Sequence, residues 1–327
     1  MIIIFLLPPI QDLPTGGNRY NAEVIRRLTP ARCQPEVWTD GNAPAPWPAE
    51  AVVLVDSLLA LNPTPLAAIR ARAGARRIAL LAHYLPHCDP SATGYNALPS
   101  GIDRYVVPSR FMREGLIRNG VDPGCIAVAY PGTDPAPPAP RRPADSSLRL
   151  LTVASHLPVK GLIEAVEALA MLSNRDWQWD IVGDNSLDAA YSRRLAVAAS
   201  APPFAGRVRL LGSRPHTEVR QRLAVADLLV VPSRFESLGM AIREAMAAGL
   251  PVVAFDVGGV SESVAHERTG LLASAGDFGG LRGAVERLMD DPALRHRFGA
   301  AAREASRSFP RWEDAVSVIT RHLTDAP

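Results

Sequence analysis

Two glutamates, Glu236 and Glu244, flank the predicted start of a helix that follows a short apolar strand. The backbone N–H groups of Leu238, Gly239 and Met240 fall in the first turn, where amides have no intrahelical partner. With the helix dipole they form an anion site that suits a pyrophosphate. Eight residues of helix rise about 12 Å, so the carboxylates could accept hydrogen bonds from a sugar and a ribose at opposite ends of one ligand. The alternative is that both are ordinary helix acids.

Apolar runs alternate with amphipathic stretches along the chain, which predicts repeated β-α-β units. Because these runs are continuously apolar, they are typical of parallel strands covered by helices on both faces. The predicted strands are 2–7, 51–55, 78–82, 104–107 and 126–130 in the first half, and 148–154, 179–182, 208–211, 228–231 and 252–255 in the second. Helices are predicted over 20–28 and from Pro65, Gly161 and Gly239.

A proline-rich segment, residues 131–147, interrupts this pattern and is typical of a linker. We therefore predict a first Rossmann-like domain over 1–140 and a second over 148–308, with a helix over 309–327 that returns to the first. Ligands of such sheets bind at the carboxyl ends of the strands, so two facing sheets would form an interdomain cleft.

The composition excludes several other classes of protein. A chain of 327 residues with 47% hydrophobic and 21% charged residues is typical of two globular domains. A net charge of +2 without charge runs gives no indication of nucleic-acid binding. Three cysteines without C-x-x-C spacing favour neither disulfides nor zinc, so a cytoplasmic location is expected. The apolar start of the chain is too short to span a bilayer and is interpreted as a buried strand.

The segment from Glu236 to Glu244 has the E-x7-E form, and its surroundings resemble glycosyltransferase family 4 of the GT-B fold. The resemblance runs from Leu150 to about Arg303. Its motifs there are Val159-Lys160-Gly161, Val182-Gly183-Asp184, Ala226-Asp227, Gly258-Gly259-Val-Ser-Glu262 and Thr269-Gly270-Leu-Leu272. The first half is similar more loosely, through Thr15-Gly16-Gly17, Leu81-Ala-His83, Val107-Pro-Ser109 and Tyr130-Pro-Gly132.

The resemblance implies a role for each glutamate: Glu244 holds the nucleotide ribose and Glu236 holds the transferred sugar. It also implies retention of anomeric configuration and no required metal, in keeping with the lack of an acidic D-x-D pair beside the apolar strands. Lys160, the single lysine of the sequence, would then neutralise the leaving diphosphate together with the helix start. The alternative is a solvated side chain.

The sequence departs from the family at one point. Members usually carry an arginine five or six residues before this lysine, where this chain has Ala154, Ser155 and His156. Three explanations stay open: His156 takes its place, Ser155 leaves the position neutral, or Arg110 or Arg234 reaches in from elsewhere.

Two features of the first half are further candidates. The pair Gly16-Gly17 follows the first strand and could bring backbone amides to the same phosphates, or could form an ordinary turn. His83 matches the family histidine that approaches the donor sugar, although a histidine after a strand is often a simple loop residue. A metal site of His83, His87 and Cys88 is disfavoured, because Pro86 keeps the histidines off a common helical face.

The sequence thus predicts a retaining, metal-independent hexosyl-type transferase that uses a UDP- or GDP-linked sugar as co-substrate and needs no other cofactor. Its acceptor, a glycan, lipid or small molecule, is not readable. The arginines at positions 70, 72, 76 and 77 could contact a membrane surface, but they are equally suited to a helix C-terminus. The alternatives are a non-catalytic subunit that binds sugar nucleotides and an epimerase of the same fold.

Overall fold

The computed structural model describes residues 2–10, 13, 15–28, 32–39, 47–90, 92–93, 97–136, 147–202, 204 and 206–324. The chain forms two compact units. The first is Met1–Gly132 with Pro310–Pro327, and the second is Thr133–Phe309. The change of unit falls inside the proline-rich segment predicted as a linker, of which residues 137–146 lie outside the described residues.

In the described part of the first unit, six parallel strands form a sheet in the order β2-β1-β3-β4-β5-β6. The strands are β1 (Ile3–Leu7), β2 (Cys33–Val37), β3 (Val52–Asp56), β4 (Ile78–Leu81), β5 (Arg104–Val107) and β6 (Ile126–Val128). The helices are α1 (Gly16–Arg27), α2 (Ser57–Ala60), α3 (Pro63–Ala73) and α4 (Arg110–Arg118). Every residue of β1, β3, β4 and β5 is buried, as continuous apolar runs predict.

The strand β2 was not predicted from the sequence. It contains Pro35 and Glu36 and lies at the edge of the sheet, where it pairs only with β1 among the described strands. An edge position tolerates a proline and a charge because one side of the strand needs no ladder hydrogen bonds. Because β2 has polar residues instead of a continuous apolar run, the hydrophobic pattern did not predict it.

The described part of the second unit contains a second parallel sheet in the order β12-β11-β10-β7-β8-β9. The strands are β7 (Leu148–Val153), β8 (Trp177–Val182), β9 (Val208–Gly212), β10 (Leu228–Val231), β11 (Val252–Phe255) and β12 (Gly270–Ala273). The helices are α5 (Leu162–Leu169), α6 (Ala189–Ser200), α7 (His216–Val225), α8 (Met240–Ala248), α9 (Phe278–Asp290) and α10 (Pro292–Ser306). The edge strand β12, four residues long, was also absent from the prediction.

One buried hydroxyl joins three strands of the second sheet. Thr152 on β7 donates its Oγ1–H to the carbonyl of Val230 on β10, at 2.6 Å. The indole N–H of Trp179 on β8 donates to Thr152 Oγ1 at 3.0 Å. Both side chains are at most 1% exposed, so each polar atom has a partner where water has no access. These bonds hold β7 beside β10, and the loops after these two strands carry the candidate site.

The last helix, α11 (Trp312–Thr324), belongs to the first unit. Its first residue, Trp312, is 1% exposed and packs against Tyr20 of α1, with ring centroids 5.6 Å apart. Arg27 of α1 lies over the same indole and pairs with Glu313 at 2.8 Å. The contacts between α1 and α11 thus fix one face of α1.

We predict that Trp312→Ala lowers the stability of the first unit by about 3–5 kcal/mol, because it leaves a large cavity under α1. Hydrogen exchange should show faster exchange of amides in β1 to β6, with β7 to β12 unchanged. The control is Leu58→Ala, at a side chain that is 41% exposed, which should change stability by less than about 0.5 kcal/mol. Equal protection of β1 to β6 in wild type and Trp312→Ala would contradict the prediction.

Candidate functional site

The start of α8 has the features predicted for an anion site. Gly239 precedes the helix with a φ of 84°, a left-handed conformation that favours glycine. Among the described residues, no side chain caps this helix end. The carbonyl of Glu236 accepts a hydrogen bond from the amide of Gly259 at 2.9 Å, which holds the loop before the helix. The amides of Leu238, Gly239 and Met240 therefore stand at an uncapped, positively polarised helix end.

Lys160 and Glu236 are brought together, although 76 positions separate them in the sequence. Lys160 Nζ lies 2.6 Å from Glu236 Oε1, and the two side chains are 22% and 15% exposed. Lys160 ends a short 3-10 turn, Pro158–Lys160, after β7, and Glu236 follows β10. The site thus holds one ammonium and one carboxylate in direct contact at the carboxyl ends of neighbouring strands.

The turn that carries Lys160 is packed tightly against the end of β10. Gly161 has a φ of 60°, and a Cβ at this position would lie 2.3 Å from the carbonyl oxygen of Pro232. The amide of Arg234 donates to the carbonyl of Val159 at 2.8 Å. Only glycine permits this approach, so Gly161 sets the distance between the two loops and with it the contact between Lys160 and Glu236.

Glu244 lies about one turn into α8, with its side chain 13% exposed. Its Oε2 is 3.4 Å from Nε2 of His216, the first residue of α7. The sequence analysis did not identify His216, because its place beside Glu244 results from the packing of α7 on α8.

The structure describes the surroundings of the residues considered in place of the missing arginine. His156 is 1% exposed, and neither ring nitrogen has a hydrogen-bond partner among the described residues. Burial lowers the pKa of His156, and Asp184 only partly opposes this effect, so the ring is expected to be neutral at pH 7. Arg234 pairs with Glu164 at 3.0 Å. Ser155 is half-buried beside His156 and carries no charge.

Arg110, the last of the alternatives, begins α4 in the first unit. Burial thus favours the neutral form of His156, and Arg234 is paired with Glu164. In the described part of the second unit, Lys160 lies in contact with the predicted site residue Glu236.

In the first unit, Gly16 and Gly17 begin α1, and Gly17 contacts His83. A Cβ at Gly17 would lie 3.2 Å from the imidazole Cδ2, so the glycine allows the ring to pack against the helix backbone. His83 Nε2 lies 2.7 Å from Asn21 Oδ1, and Asn21 Nδ2 donates to Asp56 Oδ2 at 2.6 Å. Burial lowers the pKa of His83, and the charge of Asp56 only partly opposes this.

The sequence analysis missed Asn21 and Asp56. Asn21 is four residues after Gly17, so the two share a face of α1, and Asp56 ends the apolar run of β3. Both features are visible in the sequence, but each is common in proteins. Only the fold shows that Asn21 and Asp56 lie together beside His83.

The metal alternative gains no support from the geometry. His87 Nε2 lies 2.7 Å from the carbonyl oxygen of Ala97, while His83 contacts Asn21. Within the described residues, no three histidine, cysteine, aspartate or glutamate side chains are grouped to hold a metal ion. In the same part of the chain, no helix has both the length and the apolarity to cross a bilayer.

Solved structures with a similar fold cover the whole chain. The Anabaena protein HepE, solved in complex with UDP and glucose, has a TM-score of 0.78 and 18% identity and covers 100% of both chains. Sucrose-phosphate synthase from Thermosynechococcus elongatus has a TM-score of 0.77 and 21% identity, covering 98% of each. At this identity the likeness concerns the fold alone, which is the two-domain α/β fold named GT-B.

Curated relatives are similar over a part of the chain. Glycogen synthase of Mycobacterium tuberculosis is 33% identical over 213 residues, 63% of this chain and 47% of that protein. A D-inositol 3-phosphate glycosyltransferase of Corynebacterium diphtheriae is 32% identical over 246 residues, 70% of this chain and 57% of that protein. The chain thus spans about half the length of the curated relatives it matches.

The family model for glycosyl transferases group 1 matches residues 139–305, which include Lys160, both glutamates and the start of α8. The match covers just over half of the sequence. The chain therefore belongs to the family of glycosyl transferases group 1.

Proposed function

We propose that the chain is a retaining glycosyltransferase of family 4, which moves a sugar from a UDP- or GDP-linked donor to the hydroxyl of a glycan, lipid or small molecule. The observation that carries this proposal is the contact of Lys160 with Glu236 beside the uncapped start of α8. It joins a cation and an anion-binding helix end with a carboxylate suited to sugar hydroxyls.

The diphosphate is proposed to bind at the start of α8, where backbone amides and Lys160 replace the metal ion that many transferases use. When the donor binds, its phosphate oxygens replace Glu236 as the partner of Lys160. The released carboxylate then accepts hydrogen bonds from hydroxyls of the transferred sugar. Negative charge grows on the diphosphate as the glycosidic bond breaks, so these fixed donors stabilise the transition state more than the bound donor.

Glu244 is proposed to accept hydrogen bonds from the two ribose hydroxyls of the nucleotide. Glu236 precedes the helix and Glu244 lies about one turn inside it, so the two carboxylates are proposed to contact opposite ends of the donor. His216 lies 3.4 Å from Glu244.

His83 is proposed to contact the transferred sugar near its reacting carbon. The lowered pKa keeps the imidazole uncharged, so it offers hydrogen bonding without repelling a developing positive charge on the sugar ring. Retention is proposed to follow from attack of the acceptor on the face that the diphosphate leaves, with Glu236 accepting hydrogen bonds from the sugar rather than acting as a nucleophile.

One observation favours a second function, that of a non-catalytic subunit that binds sugar nucleotides. Ser155 and a neutral His156 stand where the family usually has an arginine, which reduces the positive charge for the leaving group. Consumption of the donor by the purified chain separates the two functions: transfer or hydrolysis requires it, whereas a binding subunit leaves the donor intact.

We predict that UDP or GDP raises the unfolding temperature of the chain, because a ligand bound only to the folded state stabilises it by about 2.7 kcal/mol at a hundred times its Kd. Scanning calorimetry with UDP, GDP, ADP and inorganic pyrophosphate is the measurement. Pyrophosphate alone should have a smaller effect, since it lacks the ribose for Glu244. An unchanged transition with all four compounds would contradict the proposed function.

We predict that Lys160→Ala weakens binding of the preferred nucleoside diphosphate about tenfold to a hundredfold, because it removes a charge-assisted contact of ~1.5–3 kcal/mol. It also leaves Glu236 unpaired and facing the phosphates. The double variant Lys160→Ala/Glu236→Gln should therefore recover part of the lost affinity, and Lys160→Arg should recover it incompletely.

Calorimetric titration of these variants decides the role of Lys160. The matched control is Arg175→Ala, which breaks an ion pair with Asp290 before the start of β8 and should leave affinity unchanged. Wild-type affinity in Lys160→Ala would remove the lysine from the site.

We predict that Glu244→Gln weakens binding of the free nucleoside diphosphate about tenfold, whereas Glu236→Gln leaves it equal or stronger. Only Glu244 is proposed to touch the nucleotide, and neutralising Glu236 frees Lys160 for the phosphates. Glu236→Gln should instead lower the rate of donor consumption. If both variants lose the same affinity for the free nucleotide, the assignment of the two carboxylates is wrong.

A further inference from the structure

The imidazole of His83 is enclosed by one face of α1. Gly17, Tyr20 and Asn21 are spaced three and four residues apart, so they lie along the same side of the helix. Gly17 allows the ring to approach the backbone, and Tyr20 packs against it with ring centroids 5.1 Å apart. Tyr20 is itself fixed, since its hydroxyl donates to the carbonyl of Ala129 at 2.6 Å. The ring of His83 therefore has a defined position.

A buried chain of hydrogen bonds leads away from this ring. His83 Nε2 is 2.7 Å from Asn21 Oδ1, and Asn21 Nδ2 is 2.6 Å from Asp56 Oδ2. Asn21 is fully buried and Asp56 is 1% exposed. Since water does not reach these atoms, the donors and acceptors have to match along the chain.

The direction of the chain follows from the chemistry of Asp56. Its Oδ1 accepts the amide N–H of Leu58 at 2.8 Å, where it caps α2, and its Oδ2 faces Asn21. A carboxylate only accepts hydrogen bonds, so Asn21 has to present its NH₂ group to Asp56 and its oxygen to His83. The Asn21 oxygen in turn requires a proton on His83 Nε2. The lowered pKa of His83 leaves that proton as the only one on the ring at neutral pH.

We propose that Asp56 and Asn21 are positioning residues that fix His83 as the Nε2–H tautomer, so that Nδ1 is a hydrogen-bond acceptor selecting a hydroxyl group of the sugar. The role at the sugar rests on the proposed function, whereas the tautomer does not. Nδ1 of this tautomer accepts a hydrogen bond from a hydroxyl, but it rejects a ligand that offers only an acceptor.

A helix cap alone does not require this arrangement. Capping of α2 uses only Oδ1 of Asp56, and asparagine or serine caps as well as aspartate does. The second oxygen and the buried amide of Asn21 connect the cap to the imidazole. A substitution of Asp56 that keeps the capping oxygen but replaces the second oxygen by a hydrogen-bond donor therefore separates capping of α2 from positioning of His83.

Long-range ¹H–¹⁵N correlation spectra of the full chain, labelled at its seven histidines, report the tautomer directly. The His83 signals are assigned as those that disappear in His83→Gln. The expected result is a proton on Nε2 and none on Nδ1. A proton on Nδ1 in the wild-type protein would overturn the proposal, whether or not Asp56→Asn folds.

The variant Asp56→Asn retains the capping oxygen but presents NH₂ to Asn21. The amide of Asn21 should then turn over and offer its own NH₂ to Nε2, which moves the ring proton to Nδ1. The matched control is Asp122→Asn, at an aspartate that caps the turn Pro123–Cys125 and contacts no part of this chain of bonds. It should leave the His83 signals unchanged. An unchanged tautomer in folded Asp56→Asn would overturn the proposal.

Turnover adds a second readout. Asp56→Asn should lower kcat about tenfold while changing the KM for the donor much less, because Nδ1 would become a donor toward the reacting sugar. A reversed tautomer with unchanged kcat would overturn the catalytic role of the pair. Absence of donor consumption in the wild-type protein would instead overturn the proposed function, and the spectra would still decide the tautomer.

Discussion

The contact between Lys160 and Glu236 depends on how closely two loops approach at the carboxyl ends of β7 and β10. These strands are neighbours, with Leu228 and Leu229 in register with Leu150 and Leu151. A side chain at position 161 would separate the loops, since even a Cβ would meet the carbonyl of Pro232 at 2.3 Å. Sheet register and one glycine together determine whether a cation lies beside the start of α8.

The ion pair also explains how a lysine remains ordered at a half-open site. A lone ammonium would be solvated and mobile, whereas a carboxylate at 2.6 Å restricts its position. A partly exposed pair of this kind contributes little to stability, because both groups give up water to form it. In the proposed function, the pair preorganises the lysine, which is already in place when a phosphate replaces the carboxylate.

The candidate site residues of the two units differ in charge and in exposure to solvent. In the second unit, charge is concentrated at a helix end and stays partly accessible to solvent. In the first unit, His83 is enclosed and uncharged, and buried polar atoms of Asn21 and Asp56 determine its hydrogen bonding. In the proposed function, the first arrangement suits a bound anion, and the second suits a sugar ring that becomes positively charged.

The sequence by itself determined the two α/β sheets and named Lys160, Glu236 and Glu244 as candidates, because apolar periodicity and motif spacing are local properties. It missed β2 and β12, whose edge positions permit polar or very short strands. It also did not show that His156 is buried, which only the packing of the second unit reveals. Only the tertiary structure joined Lys160 to Glu236, 76 residues apart, and Asn21 to Asp56, 35 residues apart. Such contacts depend on strand order and helix packing, which no local stretch of sequence encodes.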